Sequence, residues 1–67
     1  MPWMAIKAQQ LENQAARLLA KYRRLERLAA RRTGEARAEL LDRMSETKGR
    51  HQEALAAAAR LRNRSKI

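Results

Sequence analysis

Sixteen basic side chains stand against seven acidic ones in this 67-residue chain, and seven of the sixteen lie between Arg17 and Arg32, in RLLAKYRRLERLAARR. Glu26 is the single acid in that stretch. At about 100° per residue along a helix, Arg23, Arg24, Arg27 and Arg31 fall on one side, extended by Lys21. Arg60, Arg62, Arg64 and Lys66 form a second basic segment near the C-terminus. Such groups at helical spacing do the chemistry of anion binding. Guanidinium forks suit phosphate oxygens, and twelve of the sixteen basic residues are Arg. Contacts of this kind need positive charge but no tight motif, so they imply phosphate-backbone binding with little base specificity.

Other chemistry finds no foothold in the sequence. There is no Cys and only one His, so neither a disulfide nor a metal site built within one chain is expected. Asp42 and Ser45 lie too close in sequence to form a hydrolytic triad with His51. His51 itself reads as a satisfied interface histidine. No Gly-rich loop is present to cradle a nucleotide. We expect no enzyme activity, no cofactor and no small-molecule substrate. Trp3 and Tyr22 are the only aromatics, too few for a single-strand stacking platform. Tyr22 reads as a packing residue, and Gln9, Gln10 and Asn13 as solvated. Base readers at helix-turn-helix spacing are missing.

The elements that must position these charges are helices. Ala (fourteen) and Leu (nine) dominate, Val and Phe are absent, and Ile and Thr occur twice each, so strand formers are scarce. From Met4 the apolar seam runs Met4, Ala8, Leu11, Ala15, Leu18, Tyr22, Leu25, Ala29, an unbroken heptad alternation of four and three. Ala on alternate layers allows close antiparallel packing. The pattern predicts a helix over 4–32, about 43 Å long at 1.5 Å per residue, with Pro2 in its first turn. Trp3, Met4 and Ile6 are expected to pack as a cap on the second helix or on another chain. Thr33-Gly34 interrupts the register, and Gly past an Arg-rich helix end is a stop signal. The chain is therefore expected to reverse near Arg32–Glu35. A continuous rod is the alternative, because a mid-helix Gly costs only about 1 kcal/mol. The second helix, roughly 36–61, carries Leu40, Met44, Thr47, His51, Ala54, Ala58 and Leu61 on its seam. Its middle contains Gly49 and no large apolar residue, so a kink there, giving three helices, is an option. The basic tail, about 62–67, is expected to fray.

The fold class that follows is all-α: an antiparallel hairpin in one domain, 1–67, pairing into a dimeric four-helix bundle. A chain this short rarely buries enough apolar surface alone, and self-association is the remaining staple. Leu11, Leu18, Tyr22, Leu25, Leu40 and Met44 are the candidate oligomer-interface residues, with Leu19, Leu28, Leu41 and Leu55 widening the apolar surface. In size and inferred shape the chain resembles the small helical-hairpin proteins of the plasmid RNA-binding Rop type, whose dimers are four-helix bundles that bind RNA. The likeness is one of architecture and transfers no residue.

A formal charge of +9 points to a polyanion partner, with nucleic acid, DNA or RNA, as the leading expectation. An acidic protein that receives the basic face of a structural or adaptor subunit is the alternative. The acids Glu35, Glu39, Asp42 and Glu46 are expected to return alongside the basic block and offset part of it, with Glu39–Arg43 and Glu46–Arg50 as i,i+4 pairs. No apolar run is long enough to span a membrane, and a membrane-dipping N-terminus is disfavoured. A cytoplasmic location is the expectation.

Overall fold

The computed structural model describes residues 2–65, and side chains from Trp3 to Ser65. It consists of two helices packed against each other, α1 (Pro2–Ala30) and α2 (Gly34–Ser65). They form an antiparallel hairpin 51 Å long and 13 by 11 Å across. The rod alternative does not hold. The chain reverses at Arg31–Thr33 because the end of α1 tightens: Arg31 N–H donates to Leu28 O (3.0 Å) and Arg32 N–H to Ala29 O (3.2 Å). These i→i−3 bonds satisfy terminal carbonyls. Gly34 then takes φ +62°, a conformation that L side chains adopt only at a cost. Glu35 follows in the first turn of α2, where its charge complements the helix dipole.

The heptad seam lies at the centre of the hairpin. Ala8, Ala15, Leu25 and Ala29 from α1 are buried against Met44, Thr47, Ala54 and Ala58 from α2. The remaining seam positions, Met4, Leu11, Leu18, Tyr22, Leu40, His51 and Leu61, are half-buried. Large side chains concentrate toward the turn, where Leu25, Ala29 and Met44 cluster with Tyr22 and Leu40. Alanine dominates at the open end, which lets the two backbones approach.

The weak middle of α2 is accommodated without a break. The helix runs through Gly49, so there are two helices and not three. Thr47 is buried at 4 % exposure, and its hydroxyl donates to Arg43 O at 2.7 Å. That bond removes the cost of burying a polar group. His51 Nδ1 donates to Ala15 O on α1 at 2.8 Å. The imidazole is thus an interhelix tie, the interface role expected from its seam position.

Three further expectations concern the helix ends and the seam. Helix α2 continues to Ser65, past the expected end near residue 61, so residues 62–65 are helical. Lys66 lies outside the described residues. Trp3 and Ile6 do not cap the second helix and stand 54 % and 59 % exposed, which leaves another chain as the expected partner; Met4 alone of that group is half-buried. Leu25 and Met44, assigned to an oligomer interface, are each 8 % exposed inside the hairpin's own core. Leu11, Leu18, Tyr22 and Leu40 retain partial exposure.

Candidate nucleic-acid interface

The positions opposite a helical seam must face solvent, and the basic ridge sits there. Arg23, Arg24, Arg27 and Arg31 are all exposed on α1, as is Lys21 beside them. Arg23, Arg27 and Arg31 recur every four residues, about 6 Å apart along the axis. Arg60 and Arg64 are exposed on α2.

Arg62 is placed differently. Its guanidinium reaches across the open end and grips Glu12 with a fork: Nε donates to Oε2 at 2.7 Å and Nη2 to Oε1 at 2.6 Å. Nη2 also approaches Gln9 Oε1 at 3.4 Å. The hydrogen bonds from Arg62 hold the Glu12 carboxyl below the ordinary carboxylate range, and its positive charge acts in the same direction. Glu12 in turn raises the Arg62 guanidinium. Arg62 therefore serves as a clasp between helices and is not presented as a free cation.

The acids of α2 do not pair across to the ridge. Among the described residues the ion pairs are Arg62–Glu12 and Arg50–Glu46, the latter at 2.8 Å within α2. The expected Glu46–Arg50 pair is present, and Glu39–Arg43 is not among the ion pairs. The ridge arginines keep their charge unpaired by any carboxylate among the described residues.

The two flanks of the hairpin differ in chemistry. One carries a mainly apolar groove of about 400 Å³ between Leu19, Tyr22, Lys48, His51, Gln52 and Leu55. Leu41 and Leu55 stand 45 % and 44 % exposed. The other carries a groove of about 280 Å³ lined by Lys21, Leu25, Arg43, Glu46, Thr47 and Arg50. Reading the sequence placed Lys21 at the edge of the ridge but did not bring Arg43 or Arg50 to it. The available signal was their seven-residue spacing, two turns apart on one flank of α2. Aligning that flank with Lys21 requires the interhelix register, which the heptads alone leave unspecified.

Among the described residues, no helix is long and apolar enough to cross a membrane. Compared with protein-family models, with curated proteins and with solved structures, the chain matches none of them.

Proposed function

We propose that this chain is a small, non-enzymatic nucleic-acid-binding accessory protein that grips the phosphate backbone and works as a homodimer. The exposure of Arg23, Arg24, Arg27 and Arg31, with every described carboxylate pair lying elsewhere, carries the reading. A ridge of guanidinium groups on a rigid helix is suited to phosphates, and contacts to phosphates carry no base information. The dimer follows from the poverty of the hairpin core. Five of its seven buried apolar residues are alanines, while Leu19 and Tyr22 are half-buried and Leu41 and Leu55 exposed on one flank. A second copy laid on that flank completes a four-helix bundle and covers the apolar groove by an isologous contact. The basic residues on the other flank stay free.

The alternative, an adaptor docking its basic face on an acidic protein, draws on the exposed Trp3 and Ile6. One turn apart on α1, they give the open end an apolar spot that a phosphate backbone does not require.

The test is titration of wild type and an Arg23→Gln, Arg24→Gln, Arg27→Gln, Arg31→Gln variant against two unrelated duplexes over a range of salt. Gln preserves helix propensity, so the hairpin persists. Binding weakens by the same factor for both duplexes. The logarithmic salt slope falls by about 0.9 for each phosphate that the variant no longer neutralises. A wild type that binds neither duplex near physiological salt refutes the reading in favour of the adaptor.

A further inference from the structure

The flank groove lined by Lys21, Arg43 and Arg50 adjoins the ridge of α1 at Lys21 and Arg24 but takes its second wall from α2. We infer that it is a second anion site, a clamp in which Lys21 from α1 and Arg43 from α2 close on one phosphate of a nucleic-acid backbone. The choice of a nucleic-acid phosphate rests on the function proposed above; the clamp itself rests on the groove. Three cations and one carboxylate line it. That carboxylate, Glu46, is already engaged by Arg50 at 2.8 Å, which leaves Lys21 and Arg43 without an ion-pair partner among the described residues. The remaining lining side chains, Leu25 and Thr47, are buried, and the Thr47 hydroxyl is committed to Arg43 O. Lys21 and Arg43 are themselves exposed and flank this buried floor from both helices, so two positive charges converge on one groove and can attract an anion together. Arg17 and Arg24, four residues before and three after Lys21, continue the positive flank along α1. With the apolar groove on the opposite flank, the hairpin has one side for a second copy and one for a polyanion.

Both walls come from different helices, so the clamp exists only in the folded hairpin. This separates it from the ridge, whose cations share one helix. The experiment has two arms. In the first, Arg Nε–Hε NMR signals of the full chain are followed while inorganic tripolyphosphate is added. Arg43 and Arg50 should shift saturably, and the Arg43 response should weaken in Lys21→Gln. In the second arm, DNA and RNA duplexes are titrated with wild type, with Lys21→Gln/Arg43→Gln, and with a charge-matched control, Arg32→Gln/Arg37→Gln. Both control residues are exposed and line neither groove. Each phosphate left without its cation removes about 0.9 from the salt slope, or about fivefold in affinity at 150 mM relative to 1 M salt. The groove variant, which leaves one phosphate without its cations, should thus bind about fivefold more weakly, and the control within about twofold of wild type. Equal weakening in the two variants together with a silent Arg43 signal overturns the clamp and leaves the ridge reading untouched. A wild type that takes tripolyphosphate at Arg43 but binds neither duplex near 150 mM supports the clamp and removes the nucleic-acid reading.

Discussion

The two glycines should respond to the same substitution with opposite sign. A Cβ built on either Gly34 or Gly49 meets no heavy atom within 4 Å, so packing contributes nothing at either site and the backbone decides. Gly49 lies mid-helix in α2 with no positive φ. Ala there removes the entropic penalty of glycine and should stabilise the hairpin by about 1 kcal/mol. Gly34 holds φ +62°, where a Cβ crowds the following carbonyl. Ala there should cost about 1 kcal/mol net, after the gain from a stiffer unfolded chain is deducted from the left-handed penalty of about 1–2 kcal/mol. For a domain this small, 1 kcal/mol corresponds to about 4–8 °C in Tm, so the two variants should differ by about 8–16 °C. Thermal and urea unfolding followed by circular dichroism at fixed protein concentration measures both, the concentration being held because the proposed dimer would contribute to apparent stability. If Gly49→Ala is neutral or destabilising, α2 is not a regular helix at that point. If Gly34→Ala is neutral, the reversal does not depend on a left-handed residue, and the explanation of the turn fails.

Two further outcomes are expected. Glu12→Gln should destabilise the hairpin at neutral pH, and the difference from wild type should narrow on acidification. The folded-state carboxyl titrates below the ordinary value of 4.5, so its contribution is full above that value and disappears as pH falls through the lowered one. Because the pair is about two-fifths and one-third exposed, added salt should shrink the same difference; urea midpoints at several pH values and salt concentrations measure both effects. Leu19→Glu/Leu55→Glu should lower the sedimentation mass from dimer toward monomer at micromolar concentration without abolishing helicity, whereas unchanged mass would exclude this flank as the place where a second copy sits.

Much of the fold is legible in the sequence because an unbroken heptad leaves few alternatives. Each seam position from Met4 to Ala29 and from Leu40 to Leu61 is buried or half-buried, including Thr47 and His51, whose polarity argued against the seam. Periodicity outweighed polarity there because both side chains found backbone carbonyls, Arg43 O and Ala15 O. The helix bounds were less legible. Arg62 and its neighbours look like a loose tail from composition, yet Glu12, fifty residues earlier, holds Arg62 in place. Nothing local to either residue announces that bond. The same holds for Lys21, Arg43 and Arg50. Their meeting depends on how far α2 slides along α1, a quantity set by a three-residue turn and by which alanines nest together. The exposed ridge, by contrast, needs only α1 and its seam, and a single helical wheel suffices to place it.

The uneven seam also fixes an order of assembly. Tyr22, Leu25, Leu40 and Met44 gather near the turn, where closing the chain encloses few residues and costs little loop entropy. Contacts farther from the turn enclose longer loops and are made by alanines that each remove little apolar area from water. The hairpin should therefore zip from the turn outward, with the Arg62–Glu12 fork fastening last. Protection of backbone amides against exchange should grade in the same direction, strongest beside Leu25 and Met44 and weakest beyond Ala8 and Ala58. On this gradient the clamp residues Lys21 and Arg43 belong to the part that closes first and opens last, so excursions that loosen the termini leave a phosphate held between them undisturbed.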